Sequence, residues 1–177
     1  MMDTKHGSIV AFDTQLGTCA IRWTDAGVAS VRLPSPRTAT LPRLTDSTPV
    51  PGAVRAAIEG IVAVLDGAPA DLRFVPLDEH GVDPFRRTVY AATRTITPGS
   101  VVTYGDIARA IGRPDCARDV GAALASNPFP IVVPCHRVVG ANGKLTGFSA
   151  PGGLATKQRM LELEGAPGYG QQVLFAG

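Results

Sequence analysis

Three prolines fall within the eight residues "NPFPIVVP", Asn127 to Pro134. Proline lacks a backbone N–H and its ring clashes with the previous helical turn, so this stretch cannot be helix. It has to be extended or turning chain inside a half that is otherwise rich in helix signals. "IVV", Ile131 to Val133, reads as a short buried strand delivering Pro134 and Cys135 to a turn. Cys135 and His136 then stand side by side on a stiff mount.

On either side of that mount the apolar pattern changes period. "SIVAF", "TCAIRW" and "VASVRL", between Ser8 and Leu33, are strand-like and separated by turn residues. They predict an antiparallel meander. Pro34 to Gly52 is rich in Pro and Thr and is expected to be a surface loop. Val54, Ile58, Ile61 and Leu65 fall at helical spacing, with Gly67 as the stop. "DLRFVPL" is expected to add a strand, and "EHGVD" to hinge two halves, 1–80 and 81–177.

The second half begins with a helix capped by Asp83, with Pro84 in its first turn and Phe85, Val89, Ala92 and Ile96 along one face. "YGDIARAIG" and "CARDVGAALAS" predict two short helices joined by the turn around "RPD". Ala117, Val120, Gly121 and Leu124 would be the buried stripe of the second. This is a helix-turn-helix pattern, though spacing alone favours a plain αα-hairpin in a core. "GANGKLTGF" is expected to be a hairpin or loop, and "GGLATKQRMLELEG" a last helix ending at Gly165. The fold class is α+β.

Composition narrows the function classes. At 45% hydrophobic and 18% charged the chain has enough apolar surface for a packed core. No apolar run approaches the roughly 20 residues of a membrane helix. "MMDTKHGSIV" has no long apolar leader region, so a cytoplasmic protein is expected. Three cysteines, with no CxxC and no HxxxH, favour neither a disulfide framework nor a metal site. From Pro84 to Glu164 ten basic side chains accompany five acidic ones, whereas the remainder carries seven and ten. That imbalance points to a polyanion for the second half, or to ordinary solvated charge.

A thiol titrates near 8.5 and only its thiolate is strongly nucleophilic. Cys135 therefore needs a base or a cation. His136 is adjacent, but neighbours on extended chain point apart, so a water would have to bridge them. A carboxylate would fix the tautomer of His136. "LELEG" offers Glu162 and Glu164, about 200° apart on a helix, so only one can face inward. On these residues alone the Cys-His pair is a weak signal, and a buried packing thiol is the commoner reading.

"PCHRVVG" preceded by "NPFPIVV", with "ARDVGAALASNP" before it and "VTYGDIA" earlier still, resembles the O6-alkylguanine-DNA alkyltransferases (methylated-DNA–protein-cysteine methyltransferases). The resemblance is specific from about Pro84 to Gly165, looser over the strands and general between Pro34 and Asp83. It implies an RNase H-like N-terminal domain and a winged helix-turn-helix C-terminal domain. It implies a protein that flips O6-alkylguanine out of duplex DNA and moves the alkyl group irreversibly to itself, without a cofactor. The partner would be double-stranded DNA, bound by a monomer, with copies able to sit side by side.

By the same resemblance, Cys135 would be the acceptor, His136 would act through water to keep it a thiolate, and Glu164 would complete the relay with Glu162 facing out. Tyr104 would hold the flipped base, Arg118 would fill the gap in the duplex, and Asn127 would brace the cysteine turn. Pro130 and the Val138 backbone would wall the pocket, and Ser149 would donate toward the lesion oxygen. Ala122, Ala123, Ala125 and Ser126 would let the helix approach the minor groove closely. Three departures stand out: Phe148 in place of the usual Tyr, two extra residues at Ala150 and Pro151, and Asp119 beside Arg118. The competing classes are a non-catalytic lesion-binding protein, a winged-helix regulator and a cysteine hydrolase.

Overall fold

The computed structural model describes residues 7–170. β1 (Ser8–Thr14), β2 (Gly17–Thr24) and β3 (Gly27–Arg32) form the expected antiparallel meander. Val10 faces Ile21 and Phe12 faces Cys19 across the β1–β2 pair. Cross-strand partners share a sheet face, and these four side chains join the main core with α1 (Gly52–Leu65). Val54, Ala57, Ile58, Ile61, Val64 and Leu65 make the buried stripe of α1, as their helical spacing predicts.

Ala11 and Ala20, also paired, are fully buried on the opposite side. The segment from Pro34 is more than the bare surface loop expected. It makes a 3-10 turn at Thr38–Thr40 that lies against β2, and its later part bridges to the free edge of β1. Ala11 N donates to Pro42 O at 2.7 Å and Leu44 N to Ala11 O at 2.8 Å. Small side chains at Ala11 and Ala20 leave room for this strap.

"DLRFVPL" does not form the fourth strand. It turns, and only Leu77 bridges to Val28: Val28 N donates to Pro76 O at 2.8 Å and Asp78 N to Val28 O at 2.7 Å. Pro76 has no N–H with which to extend the ladder. Gly27 makes the approach possible, since a Cβ there would sit 2.5 Å from Pro76 O.

The second half carries α2 (Pro84–Thr93), α3 (Tyr104–Ala110), α4 (Ala117–Ala125) and α5 (Gly153–Leu163). Asp83 caps α2 by accepting from Arg86 N at 2.9 Å. The buried face of α2 is Val89, Tyr90 and Thr93, rotated toward Tyr90 relative to the expected stripe. α3 starts at Tyr104 because Thr103 and Asp106 form a reciprocal capping box. On α4 the buried residues are Val120, Ala123 and Leu124. Ala123, expected on the outer face, instead packs inward, and its carbonyl accepts from Tyr90 Oη at 3.0 Å. Ala122, Ala125 and Ser126 are exposed.

"IVV" is not a strand. Residues 130–133 form a tight turn with Ile131 at φ 74°, where a β-branched residue is rarely found. The strand lies one step later: β5 (Val138–Val139) pairs in parallel with β4 (Val102–Thr103). "GANGKLTGF" is a loop, opened by a 3-10 turn at Ala141–Gly143 and closed by Gly140 N on Lys144 O at 2.8 Å. The molecule is thus a mixed α/β structure with one small antiparallel sheet, a two-residue parallel pair and five α-helices among the described residues. The core runs unbroken from the sheet through α1 to the second half. Val31 N on Pro128 O, at 2.9 Å, ties β3 to the proline-rich mount.

Candidate active site

Cys135 opens a 3-10 turn, Cys135–Arg137, directly after Pro134. Asn127 braces what precedes it. Its Nδ2 donates to Val133 O at 2.9 Å and its Oδ1 accepts from Phe129 N at 2.8 Å. Cys135 N donates to Val133 O at 2.8 Å, so the turn that Asn127 holds is the turn that aims the thiol. Cys135 is 9% exposed. Burial pushes its thiol above the ordinary value, opposed by the Asn127 side chain, the Lys157 charge and nearby backbone N–H groups. Burial thus favours the protonated thiol at rest.

Behind it lies a buried polar cluster. His136 Nε2 sits 2.7 Å from Glu164 Oε1, with both side chains fully buried. Arg137 donates to the same carboxylate through Nε at 2.9 Å and Nη2 at 2.7 Å, and its Nη1 reaches Ile96 O at 2.6 Å. Gly99 N adds a further donor at 3.3 Å. Burial raises the Glu164 carboxyl, but His136 and Arg137 outweigh it and hold it at about 2. Burial lowers His136, with Arg137 and Lys157 acting in the same sense against the pull of Glu164. The neutral imidazole therefore donates from Nε2 to an ionised Glu164. Nδ1 keeps its lone pair and has no hydrogen-bonding partner among the described residues. Cys135 and His136 make no direct side-chain bond, although the chain here is a 3-10 turn and not the extended segment expected. Glu162 faces away, with Arg159 Nη1 at 3.4 Å.

In front of Cys135 is a cavity of about 350 Å³, within the roughly 300–1,000 Å³ usual for small-molecule sites. Tyr104, Asn127, Pro130 and Ser149 line it with Cys135. Phe148, Ala150 and Pro151 line it too, so the two extra residues are part of the wall. Val138 does not line it. Its side chain is fully buried and its carbonyl is taken by Lys157 Nζ at 2.6 Å. The Ser149 hydroxyl is also engaged, donating to Ala125 O at 2.5 Å. Val31, Leu33 and Arg37 close the cavity from the first half.

Arg118 is exposed on α4 and lines a separate, largely apolar groove with Tyr104, Gly121, Ala125 and Gly147. Asp119 lies on a different groove, with Arg86 and Arg113. Sequence reasoning missed two residues. Arg137 is 5% exposed and holds Glu164; Lys157 is fully buried beside Tyr104. Lys157 lies three and four residues before the buried Met160 and Leu161, so helical periodicity marks it as a cation on an apolar stripe. Among the described residues no group of three or more His, Cys, Asp or Glu side chains is gathered as a metal site. No helix among them is long and apolar enough to cross a membrane.

A buried thiol facing a base-sized cavity, with a histidine–carboxylate pair behind it, suits nucleophilic transfer. The family model of the 6-O-methylguanine DNA methyltransferase DNA-binding domain matches residues 84–166. The methylated-DNA–protein-cysteine methyltransferase of Mycobacterium tuberculosis (strain ATCC 25618 / H37Rv) is 43% identical over 134 residues, spanning 76% of this chain and 79% of the relative. The crystal structure of Mycobacterium tuberculosis OGT in complex with DNA superposes with a TM-score of 0.71 at 34% identity, covering 91% of this chain and 96% of the other. The O6-methylguanine-DNA methyltransferase from the hyperthermophilic archaeon Pyrococcus kodakaraensis strain KOD1 gives 0.67 at 28% identity, covering 90% and 100%.

Proposed function

The chain belongs to the methylated-DNA–protein-cysteine methyltransferase family, and we propose that Cys135 is its alkyl acceptor. The protein repairs DNA by transferring an alkyl group to its own cysteine. The observation that carries the assignment is the Cys135 thiol at the floor of the cavity, backed by the His136–Glu164 contact at 2.7 Å.

The substrate is O6-alkylguanine in duplex DNA. Its alkyl group is hidden in the stack, so the nucleotide is flipped out at a cost of a few kcal/mol. Arg118, exposed beside Tyr104, fills the place the base left. Tyr104, Pro130 and Phe148 hold the base in the cavity. The Cys135 proton passes through water to Nδ1 of His136, whose charged form is matched by Glu164. Sulfur then attacks the alkyl carbon in line. The S–C bond forms as the C–O6 bond breaks, the electron pair leaves with guanine, and the base is protonated with help from Tyr104. Ser149, bonded to Ala125 O, serves the cavity as the latch of its loop, and donation to the lesion oxygen would need that bond to break. The thioether is stable, so each molecule acts once.

The finer architecture belongs to the same reading. An RNase H-like first domain, 1–80, carries the sheet, and a winged helix-turn-helix second domain, 81–177, presents α4 to the minor groove. The outer ends, 1–6 and 171–177, lie outside the described residues. The protein acts as a cytoplasmic monomer that can bind side by side on DNA.

The test is an intact mass after mixing with duplex O6-methylguanine, followed by peptide mapping. One methyl added on Cys135, absent in Cys135→Ala, is expected. Tight binding without mass gain would overturn the assignment.

A further inference from the structure

A second cavity, also of about 350 Å³, lies behind the Cys135 mount. Pro130 and Cys135 line the acceptor cavity, whereas Ile131, Val132 and Pro134 line this one. One turn of chain is thus a wall shared by both. Residues 69–73, after α1, and 94–98, after α2, complete the enclosure.

Three arginines and one acid reach this cavity: Arg73, Arg94, Arg137 and Asp71. Two of the cations are matched. Arg73 Nη2 holds Asp71 Oδ2 at 2.7 Å, and Arg137 Nη2 holds Glu164 Oε1 at 2.7 Å. Arg94 differs, since among the described residues no carboxylate lies within ion-pair distance of it. Its Nη2 is spent on Leu72 O at 2.9 Å, Arg73 O at 3.0 Å and Val75 O at 2.8 Å. Its Nε is buried with no partner among the described residues. Burial pulls the guanidinium below its ordinary value, against the charges of Glu79 and Asp71. An arginine does not deprotonate in response, so the cavity carries one uncompensated positive charge. A buried donor left unpaired is costly and calls for an acceptor.

We propose that this cavity is a binding site for a small apolar carboxylate, with its charge on Arg94 and its body against the back of the mount.

The walls set the ligand class. Leu72, Ile96, Pro98, Ile131, Val132 and Pro134 make an apolar lining with the free charge at one place, the usual pattern of a small-molecule site. One unmatched cation asks for one negative charge, so a carboxylate suits it better than a phosphate dianion. The volume is far more than the roughly 30 Å³ that a water-sized body takes up, so there is room for a hydrocarbon part as well. A ligand here touches the turn that aims the thiol, yet reaches neither Cys135 nor the cavity in front of it. The site therefore stands independently of the acceptor assignment.

The probe is benzoate, titrated into the full chain carrying isotope-labelled Ile, Leu and Val methyl groups and followed by NMR. The methyls of Ile96, Ile131 and Val132 should shift saturably, with a Kd of about 10 mM or tighter for a ligand this small. Those of Val31 and Leu33, at the acceptor cavity, should move far less. Benzamide, of the same shape without the charge, should bind at least about tenfold more weakly, and so should benzoate to Arg94→Met. Inorganic phosphate at equal concentration should leave benzoate in place. Shifts confined to Val31 and Leu33, shifts that do not saturate, equal binding of benzamide, or displacement by phosphate would overturn the proposal. The wild-type comparison of benzoate with benzamide decides it even if Arg94→Met fails to fold.

Discussion

Glu164 is the residue on which the site's electrostatics turn. Its folded value of about 2 lies below the 4.5 of a free glutamate. A depressed carboxyl stabilises the fold fully above its unfolded value and loses that contribution as pH falls toward its folded one. Wild type should therefore lose stability between pH 4.5 and 2, and Glu164→Gln should lose much less over that window in urea melts. At pH 7 Glu164→Gln should already be about 3–5 kcal/mol less stable, because Arg137 is left buried and unpaired. Arg118→Ala is expected to slow repair of duplex about tenfold while leaving transfer from the free modified base within about twofold, since only duplex has a gap to fill. Equal losses on both would remove Arg118 from that role. Helix geometry left Glu162 and Glu164 as alternatives for the inward face, and the family resemblance chose Glu164. Its partner Arg137 was invisible because nothing local says that a side chain next to His136 turns back to the end of α5.

At the scale of elements, the mount of Cys135 is a turn rather than a strand. Three apolar residues in a row satisfy a strand pattern equally well, and sequence rules do not place a β-branched residue at φ 74°. What holds Ile131 there is its burial, at 1% exposure, together with the two bonds from Asn127. Asn127→Ala should lower stability by about 1–3 kcal/mol, since it leaves the buried Phe129 N–H unpaired. It should slow methyl transfer more than it weakens DNA binding, because it loosens the thiol and not α4. Thermal melts and single-turnover rates together check this. The meander, α1, α2 with its Asp83 cap, and α5 were legible because each is set by period and capping within its own residues. "DLRFVPL" was not, because whether a β-rich run becomes a strand depends on an open edge that accepts more than one bridge.

Across the whole molecule the two halves share one core. Ile61 on α1 is fully buried in it, and Ile61→Ala should cost about 2–5 kcal/mol. Trp23, the single tryptophan, reports on the sheet, while methyl transfer reports on Cys135. Because the core is continuous, both signals should be lost together in denaturant, and Ile61→Ala should move both midpoints equally. Separate midpoints would show that 1–80 and 81–177 unfold independently.

The sequence by itself determined a proline-stiffened Cys135–His136 mount, an inward glutamate at the end of a helix, a small antiparallel sheet and a basic second half. Those follow from proline chemistry, period and capping, which act over a few residues. Tertiary structure alone decided that Lys157 stands under Tyr104, that Arg137 shares Glu164, and that Val31 and Leu33 of the first half wall the cavity of the second. These pairs lie far apart in the chain. Their contact is set by how two packed lobes fit together, and no local pattern carries that.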